Sequence, residues 1–426
     1  MASDPARMAG GNGLSVAEAA FVGIAFMFLP VAAYGNHGIV ILLVVAGLAS
    51  LWQIVRYGGR GWPLGRVMGL GLAAFLTWGG ASALWAETPG IVLPRVLQLA
   101  GLTAAGLAVL SALPALDHRA RHRIGMAMVF GMLGLFAAVG MDGGMDGAIE
   151  RAVRRLLGLR VPEEWLRSHF KVGVTLCGLL MPVMALWLWR RRPWAVPLLV
   201  AGLVGCGLSV DSNTGLLAAG VAGAVTALAL VWPRAVCAGM AVLVTIGFLA
   251  APAAVQRLPA LPAMAEAVNI LPNSMMHRLG IWGFAAGKVG ERPLAGWGLD
   301  ASRALPGGEA IIKVPARASH GIIMLDVQAM PLHPHNLMLQ VWLETGLLGV
   351  LLLLSAFLAL IMALWRSPPA VRASGLGTAA GILVIGAASF GAWQAWWVAS
   401  QWLVATFCLI LSPPATRDLS SAPPSS

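Results

Sequence analysis

Twelve apolar runs, each about long enough to cross a hydrocarbon core, follow one another along the chain and leave little room for another architecture. They lie near Ala17 to Tyr34, Gly38 to Val55, Val67 to Ala86, Val96 to Leu116, Ile124 to Met141 and Gly173 to Trp189. The remainder are near Trp194 to Val210, Gly215 to Val231, Ala235 to Val255, Leu337 to Leu360, Ser374 to Phe390 and Ala392 to Leu411. Within a bilayer every backbone N–H and C=O must find its partner inside the protein, so such runs fold as helices. Composition agrees, with 59% apolar and 11% charged residues and a mean hydropathy of +0.82, outside the range of soluble domains. The expected fold class is all-α, a polytopic membrane protein of about twelve transmembrane helices with a large outward loop before the tenth.

Lys and Arg gather in every second connection: Arg56, Arg60 and Arg66; Arg119, Arg121 and Arg123; Arg190 to Arg192; Arg234; Arg366 with Arg372. The short connections between them, near Gly35 to His37, Glu87 to Pro94, Asp211 to Thr214 and Gly391, carry none. Cytoplasmic loops retain cations, so both termini are expected in the cytoplasm, with Arg7 and Arg417 in agreement. The net charge of +11 then reads as topology, and nucleic-acid binding explains it poorly. Phe21 to Pro30 followed by Val31-Ala32-Ala33 also has the form of a signal-peptide core and cleavage site. An uncleaved anchor is favoured, because Arg7 is the only cation ahead of it.

Two long outward segments divide the chain. Residues 1–255 hold the first nine helices, with an amphipathic interfacial segment at 142–171, and residues 256–335 form the loop expected to carry the active site. Residues 336–412 hold the last three helices, and 413–426, rich in Pro and Ser, are expected to be a disordered cytoplasmic tail. In the first segment Ile149, Val153, Leu156 and Leu157 recur at helical spacing opposite Arg151, Arg154 and Arg155, the pattern of a helix lying in the interface. Anchoring to headgroups and guiding a lipid diphosphate both fit it. The four cysteines, Cys177, Cys206, Cys237 and Cys408, fall in or beside the runs without Cys-x-x-Cys spacing, so they read as packing residues.

In the second segment Ser274 to Ala285 reads as a capped helix with Arg278 in its early turns, followed by the turn Gly296-Trp297-Gly298-Leu299. The segment ends in His333-Pro334-His335-Asn336, at the mouth of the run that starts at Leu337. Ionisable groups at membrane depth are costly to desolvate and usually line a cavity or site, and a histidine exchanges a proton near neutral pH. Beyond His335, the residues Asn336, Gln340 and Glu344 recur every four positions and share one helix face. For Glu344, helix-to-helix hydrogen bonding and the floor of an outward cavity are both open. Asp211-Ser212-Asn213-Thr214, and Glu87-Thr88-Pro89 with Arg95, form polar corners that turn chemistry largely explains.

The candidate acids, bases and phosphate ligands all fall on the outer side, where ATP and nucleotide sugars are not supplied. A reaction there needs an already activated donor, which for glycans is a sugar chain on a polyprenyl diphosphate. Such a donor requires a base for the acceptor hydroxyl, cations for the diphosphate and a groove for the lipid. His335 suits the first requirement. Arg278 suits the second, since a guanidinium forks onto phosphate oxygens and stays charged. The chain has no Asp-x-Asp pair and its eight aspartates are scattered, so neither a metal nor another cofactor is expected.

The pattern His335-Asn336-x-x-Leu339-Gln340-x-x-x-Glu344-x-Gly346-Leu347-Leu348-Gly349, with Arg278-x-x-Ile281-Trp282 and Pro293-x-x-Gly296-x-Gly298 upstream, resembles the O-antigen ligase and O-antigen polymerase superfamily. These are lipid-linked oligosaccharide transferases of the bacterial inner membrane. The resemblance covers the loop and the following span closely, and the rest by span count and loop placement. It implies that His335 is the essential histidine and that Arg278 contacts the donor diphosphate. The reaction implied is an inverting, metal-independent transfer from undecaprenyl diphosphate, with 256–335 as a periplasmic loop. Substrate contacts are then expected from His333, Asn336, Glu344, Arg95, Arg292, Arg303 and Asn213.

There is one departure: the family often places arginine after the serine matching Ser212, where this chain has Asn213. Either Arg95, Arg292 or Arg303 supplies that charge, or the chemistry is altered or lost. The expected partners are the undecaprenyl-diphosphate-linked glycan donor, a lipid A-core or other glycan acceptor, and membrane lipids. Ligation to lipid A-core leads, while polymerisation of O-antigen or exopolysaccharide repeats and protein O-glycosylation stay open. The competing class is a transporter or flippase for a lipid-linked sugar. Transporters show paired, broken helices in two related halves, whereas this chain has one long outer loop without a counterpart, which favours an enzyme.

Overall fold

The computed structural model describes residues 15–57, 63–156, 158, 168–267, 272–319 and 321–412, the side chains of 57 and 63–68 excepted. Arg7, Arg60, Leu157, Arg417 and the predicted tail at 413–426 lie outside the described residues, as does the side chain of Arg66. Each of the twelve apolar runs forms a helix. In chain order the first nine helices are α1 (Val16–Tyr34), α2 (Gly38–Tyr57), α3 (Pro63–Ala81), α4 (Pro89–Ala112), α5 (His118–Gly144), α6 (Ala148–Leu156), α7 (Phe170–Trp189), α8 (Ala195–Ser209) and α9 (Asn213–Val231). Then follow α10 (Pro233–Gln256), α11 (Leu261–Ala267), α12 (Asn273–Glu291), strands β1 (Ile311–Ala318) and β2 (Gly321–Gln328), α13 (Leu337–Trp365), α14 (Pro369–Ala388) and α15 (Ala395–Leu411). Among the described residues nine helices are long and apolar enough to cross a membrane, and three shorter apolar helices, Gly69–Leu84, Ala195–Ser209 and Ala395–Leu411, join them.

Local chemistry sets the helix boundaries. The Asp117 carboxylate accepts from Ala120 N at 2.7 Å and caps α5, and Ser15 caps α1 in the same way. Proline at the first helical position starts α4 and α10, where its missing N–H costs nothing. Helix α4 therefore begins at Pro89 rather than near Val96: hydropathy marks the most apolar stretch, whereas the hydrogen-bonded helix starts at the proline. Helix α7 runs through the middle of the bundle, flanked by α1, α5, α8, α9, α14 and α15. Helix α2 instead leaves Ile41, Leu48 and Val55 exposed at seven-residue spacing, a stripe suited to lipid.

Two features differ from the sequence expectation. The outer loop adds an antiparallel hairpin to an otherwise helical fold, with Lys313 opposite Asp326. Val314 of β1 is buried with Met276 and Leu279 of α12 and Ala265 of α11. The second feature is α6. Its carboxylate Glu150 and cation Arg154 point inward, paired at 2.6 Å and buried, while Leu156 is 89% exposed. Glu150 N also donates to the enclosed Asp142 at 2.8 Å. Arg154 is thus an internal partner and does not face headgroups, because a buried carboxylate needs a close cation.

Helix α13 is broken at Gly346, whose φ of 63° and ψ of −169° belong to a region essentially restricted to glycine. The segment after α12 docks into the break and satisfies the backbone there. Trp297 N donates to Leu343 O at 2.9 Å, Gly298 N to Glu344 O at 2.8 Å, and Leu347 N to Pro293 O at 2.9 Å. The indole of Trp78 closes the set on Thr345 O at 2.9 Å. A Cβ on Gly346 would collide with the Leu294 carbonyl. Gly346→Ala is therefore expected to lose about 2 kcal/mol or more, seen as a lower unfolding temperature in detergent. An unchanged transition would mean that the break tolerates a side chain.

Candidate active site

Three elements converge where α13 begins. The loop ahead of it carries His333 and His335, the connection after α14 supplies Ser389 and Gly391, and α12 carries His277 and Arg278. His335 adopts a left-handed backbone, φ 54°, which turns its ring back toward α14. There Nδ1 lies 2.6 Å from Ser389 O. A carbonyl only accepts, so Nδ1 holds the proton and Nε2 keeps its lone pair. The imidazole is thereby oriented as a base.

His333 supports this arrangement from beneath. Its Nδ1 accepts from His335 N at 3.2 Å, and the two ring centroids are 4.1 Å apart. Burial above all, then His335, Arg303 and Arg278, push its pKa down to about 3, so it stays neutral. Gly391 leaves room for that ring, since a Cβ there would stand 2.7 Å from His333 Cδ2. Trp282 fixes the intervening proline, its Nε1 donating to Pro334 O at 2.7 Å. The tryptophan of the upstream motif thus positions the histidine loop.

Arg278 is half-buried and, among the described residues, has no carboxylate partner. Its charge bears on both His333 and His335. The His335 pKa is lowered, by burial first, with Arg278 and His277 adding to the fall and the bond to Ser389 O opposing it. His277 is lowered by burial and by Arg278; its Nε2 is buried without a hydrogen-bond partner among the described residues. A desolvated guanidinium beside neutral imidazoles favours an anion.

Glu344 occupies a different place from the one expected of a substrate contact. It is 0% exposed, and four donors converge on it: Asp300 N at 2.6 Å, Ser302 Oγ at 2.5 Å, Trp393 Nε1 at 2.5 Å and Gln340 Nε2 at 3.0 Å. The carboxylate ties the outer loop to α13 and to the start of α15, so of its two open readings the structure displays hydrogen-bonded glue. Gln340 extends the knot by accepting from Ala392 N at 2.9 Å. Asn336 caps α13, its Oδ1 accepting from Leu339 N at 3.1 Å.

The other predicted cations also divide. Arg95 is engaged by Asp300 at 2.7 Å, and Arg292 by Glu87 at 2.8 Å with its guanidinium 4.0 Å over the Trp297 ring. Arg303 is exposed and has no ion-pair partner among the described residues; its charge reaches His333. Asn213 begins α9 as an exposed residue, and nothing described brings it to the histidines. Of Arg95, Arg292 and Arg303, Arg303 is the one whose charge reaches His333, while Arg95 meets Asp300 and the Trp393 carbonyl. Asp300, Ser302, Ser389, Gly391 and Trp393 were missed as site-builders. Asp300 and Ser302 follow the glycine turn, the one hint the sequence held.

Next to the histidines an apolar cavity of about 250 Å³ opens among Leu337, Gly386, Phe390, Ala392 and Trp393. It continues past Phe75 and Phe357 to Leu110, Trp402 and Leu409, at the far ends of α4 and α15. A strip of carbon-lined wall therefore leads from the polar site through most of the bundle's depth.

Residues 198–354, which contain Asn213, Arg278, Arg292, Arg303, both histidines and Glu344, match the family model described as O-Antigen ligase. A protein of Rickettsia prowazekii (strain Madrid E) named "Putative polysaccharide ligase" is 32% identical over 152 residues, 34% of this chain and 35% of the relative. Namesakes from Rickettsia conorii (31% over 152 residues, 34% of each chain) and Rickettsia bellii (32% over 148 residues, 34% of each chain) are similar to the same extent. The chain thus spans about a third of the length of the relatives it matches. These matches support the O-antigen ligase superfamily as the family of this polytopic membrane protein.

The electrostatics give a test that needs no substrate. Acylation by diethyl pyrocarbonate, which reads the unprotonated imidazole, is expected at His335 with a pH midpoint below the ordinary 6.5. Because the Arg278 charge lowers that pKa, Arg278→Gln is expected to move the midpoint upward. A midpoint at or above 6.5 that ignores the substitution would contradict the described surroundings.

Proposed function

We propose that this chain is a glycosyltransferase of the O-antigen ligase type. It moves a glycan from a polyprenyl diphosphate, undecaprenyl diphosphate in the family it resembles, to an acceptor hydroxyl at the periplasmic face of the inner membrane. The observation that carries the reading is the His335 imidazole, pinned through Nδ1 with Nε2 left basic, beside an Arg278 with no carboxylate partner among the described residues and at the head of an apolar cavity.

In this reading His335 Nε2 takes the proton of the acceptor hydroxyl as its oxygen attacks the anomeric carbon. The bond from that carbon to the diphosphate oxygen breaks, and the electron pair leaves with the polyprenyl diphosphate. A single displacement from the opposite face inverts the anomeric centre. Arg278, with Arg303 nearby, meets the charge that grows on the leaving group, where preorganised donors act most strongly. The prenyl chain lies in the cavity from Phe390 toward Trp402. His333 holds the His335 backbone and stays neutral, so it adds no competing charge.

The ligase reading, with lipid A-core as acceptor, stands first because the matched relatives carry ligase names. In a purified assay with a polyprenyl-diphosphate glycan and lipid A-core, His335→Ala is expected to abolish transfer without loss of folded protein. Arg278→Lys keeps the charge but loses the fork, and an expected fall of about a hundredfold follows from losing one oriented donor. Transfer at the native rate by His335→Ala would remove the imidazole from the mechanism.

A further inference from the structure

At the end of the bundle opposite the histidines lies a second hollow, of about 610 Å³. Its position follows from Arg121, whose guanidinium binds Leu409 O and Ile410 O at the end of α15, 3.2 Å from each. Arg119, His122 and Arg123 of α5 line one side, and Trp187, Arg191 and Arg192 at the end of α7 line the other. Cations at this end are expected from topology alone, but they are not equivalent. Arg121 is consumed by the carbonyls of helix ends, with further bonds to Leu113 O and Leu116 O. The other four arginines converge on the hollow. Among the described residues one carboxylate answers them, Glu18, at 2.7 Å from Arg123.

The hollow also has a built floor. The guanidinium of Arg191 sits 4.5 Å over the Trp187 ring and donates to Trp187 O at 2.9 Å. The His122 ring stacks on the same indole with centroids 5.7 Å apart. Arg191 is thus held in place on the indole, and the exposed Arg119 and Arg192 beside it add like charge that a phosphate relieves. From the hollow an apolar stripe runs along α5: Met126 lines its edge, and Phe130 and Leu133, four and seven residues on, are 55% and 47% exposed. That continuity joins an anion site to a lipid-facing surface and separates it from a pocket for a soluble anion.

We propose that this hollow binds the headgroup of an anionic phospholipid, its phosphate held by Arg119, Arg191 and Arg192 and an acyl chain laid along Met126, Phe130 and Leu133. The test is native mass spectrometry of the full-length protein in detergent, titrated with phosphatidylglycerol and with phosphatidylcholine. Phosphatidylglycerol is expected to bind about tenfold or more tightly than phosphatidylcholine. Arg191→Gln with Arg192→Gln is expected to erase that preference, since each cation near a headgroup contributes roughly a fivefold effect. Arg56→Gln with Arg366→Gln, which removes two exposed cations of the same side outside the hollow, is expected to keep it. Equal loss in both double variants would reduce the effect to diffuse charge and overturn the proposal. Displacement of the lipid by millimolar pyrophosphate would assign the arginines to a soluble phosphorylated ligand and overturn it as well. Circular dichroism of each variant separates lost binding from lost fold.

Discussion

The interruption of α13 is the constraint on which the rest of the site depends. A helix broken inside a membrane frees backbone donors and acceptors that lipid cannot satisfy. Here Gly346 opens the helix, and residues 293–298 enter to occupy the freed groups, with Trp297 N and Gly298 N donating inward and Pro293 O accepting outward. Glu344, one turn-end away, gathers four donors from that loop, from α13 itself and from the connection ahead of α15. The outer loop is consequently clamped to the span that begins beside the histidines.

From that clamp the geometry of the candidate site follows. Asp300 both donates its N–H to Glu344 and holds Arg95, so α4 is drawn toward the same knot. Helix α12 leads into the clamp and brings Arg278 and Trp282 over the histidine loop. Its Trp282 indole and the Ser389 carbonyl leave the His333-Pro334-His335 segment little freedom. Rigidity of this kind is what a base needs, because a small misplacement of the reacting groups is costly to rate. The polar site then abuts a carbon-lined cavity, the combination that a diphosphate with a long prenyl chain calls for.

Much of this was legible in the residues, and what was not has physical reasons. Helix positions followed from apolar run length, because the bilayer leaves helices as the simple solution for such runs. The prominence of His335 and Arg278 followed from their type and place. The hairpin at 311–328 was missed because Ile322, Ile323, Met324 and Leu325 do not alternate, and β2 is exposed on both faces except at the half-buried Val327. For Arg154 both open roles, headgroup anchor and diphosphate guide, place it outward, because helical periodicity shows which side is charged and not whether that side faces a buried Asp142 and Glu150. Spacing alone could not choose between glue and cavity for Glu344, since its partners Asp300, Ser302 and Trp393 come from distant positions. The role of Gly391 was hidden for the same reason: only the folded chain brings the His333 ring against it.

The central claim is that the basic Nε2 of His335 and the guanidinium of Arg278 share one donor site fed by the apolar cavity. A structure of the protein with a bound polyprenyl diphosphate tests it most directly. The diphosphate is expected within hydrogen-bond reach of Arg278, the sugar-bearing oxygen facing His335 Nε2, and the prenyl chain running past Phe390 toward Trp402. A diphosphate bound away from both side chains, with the cavity empty of prenyl density, would contradict it.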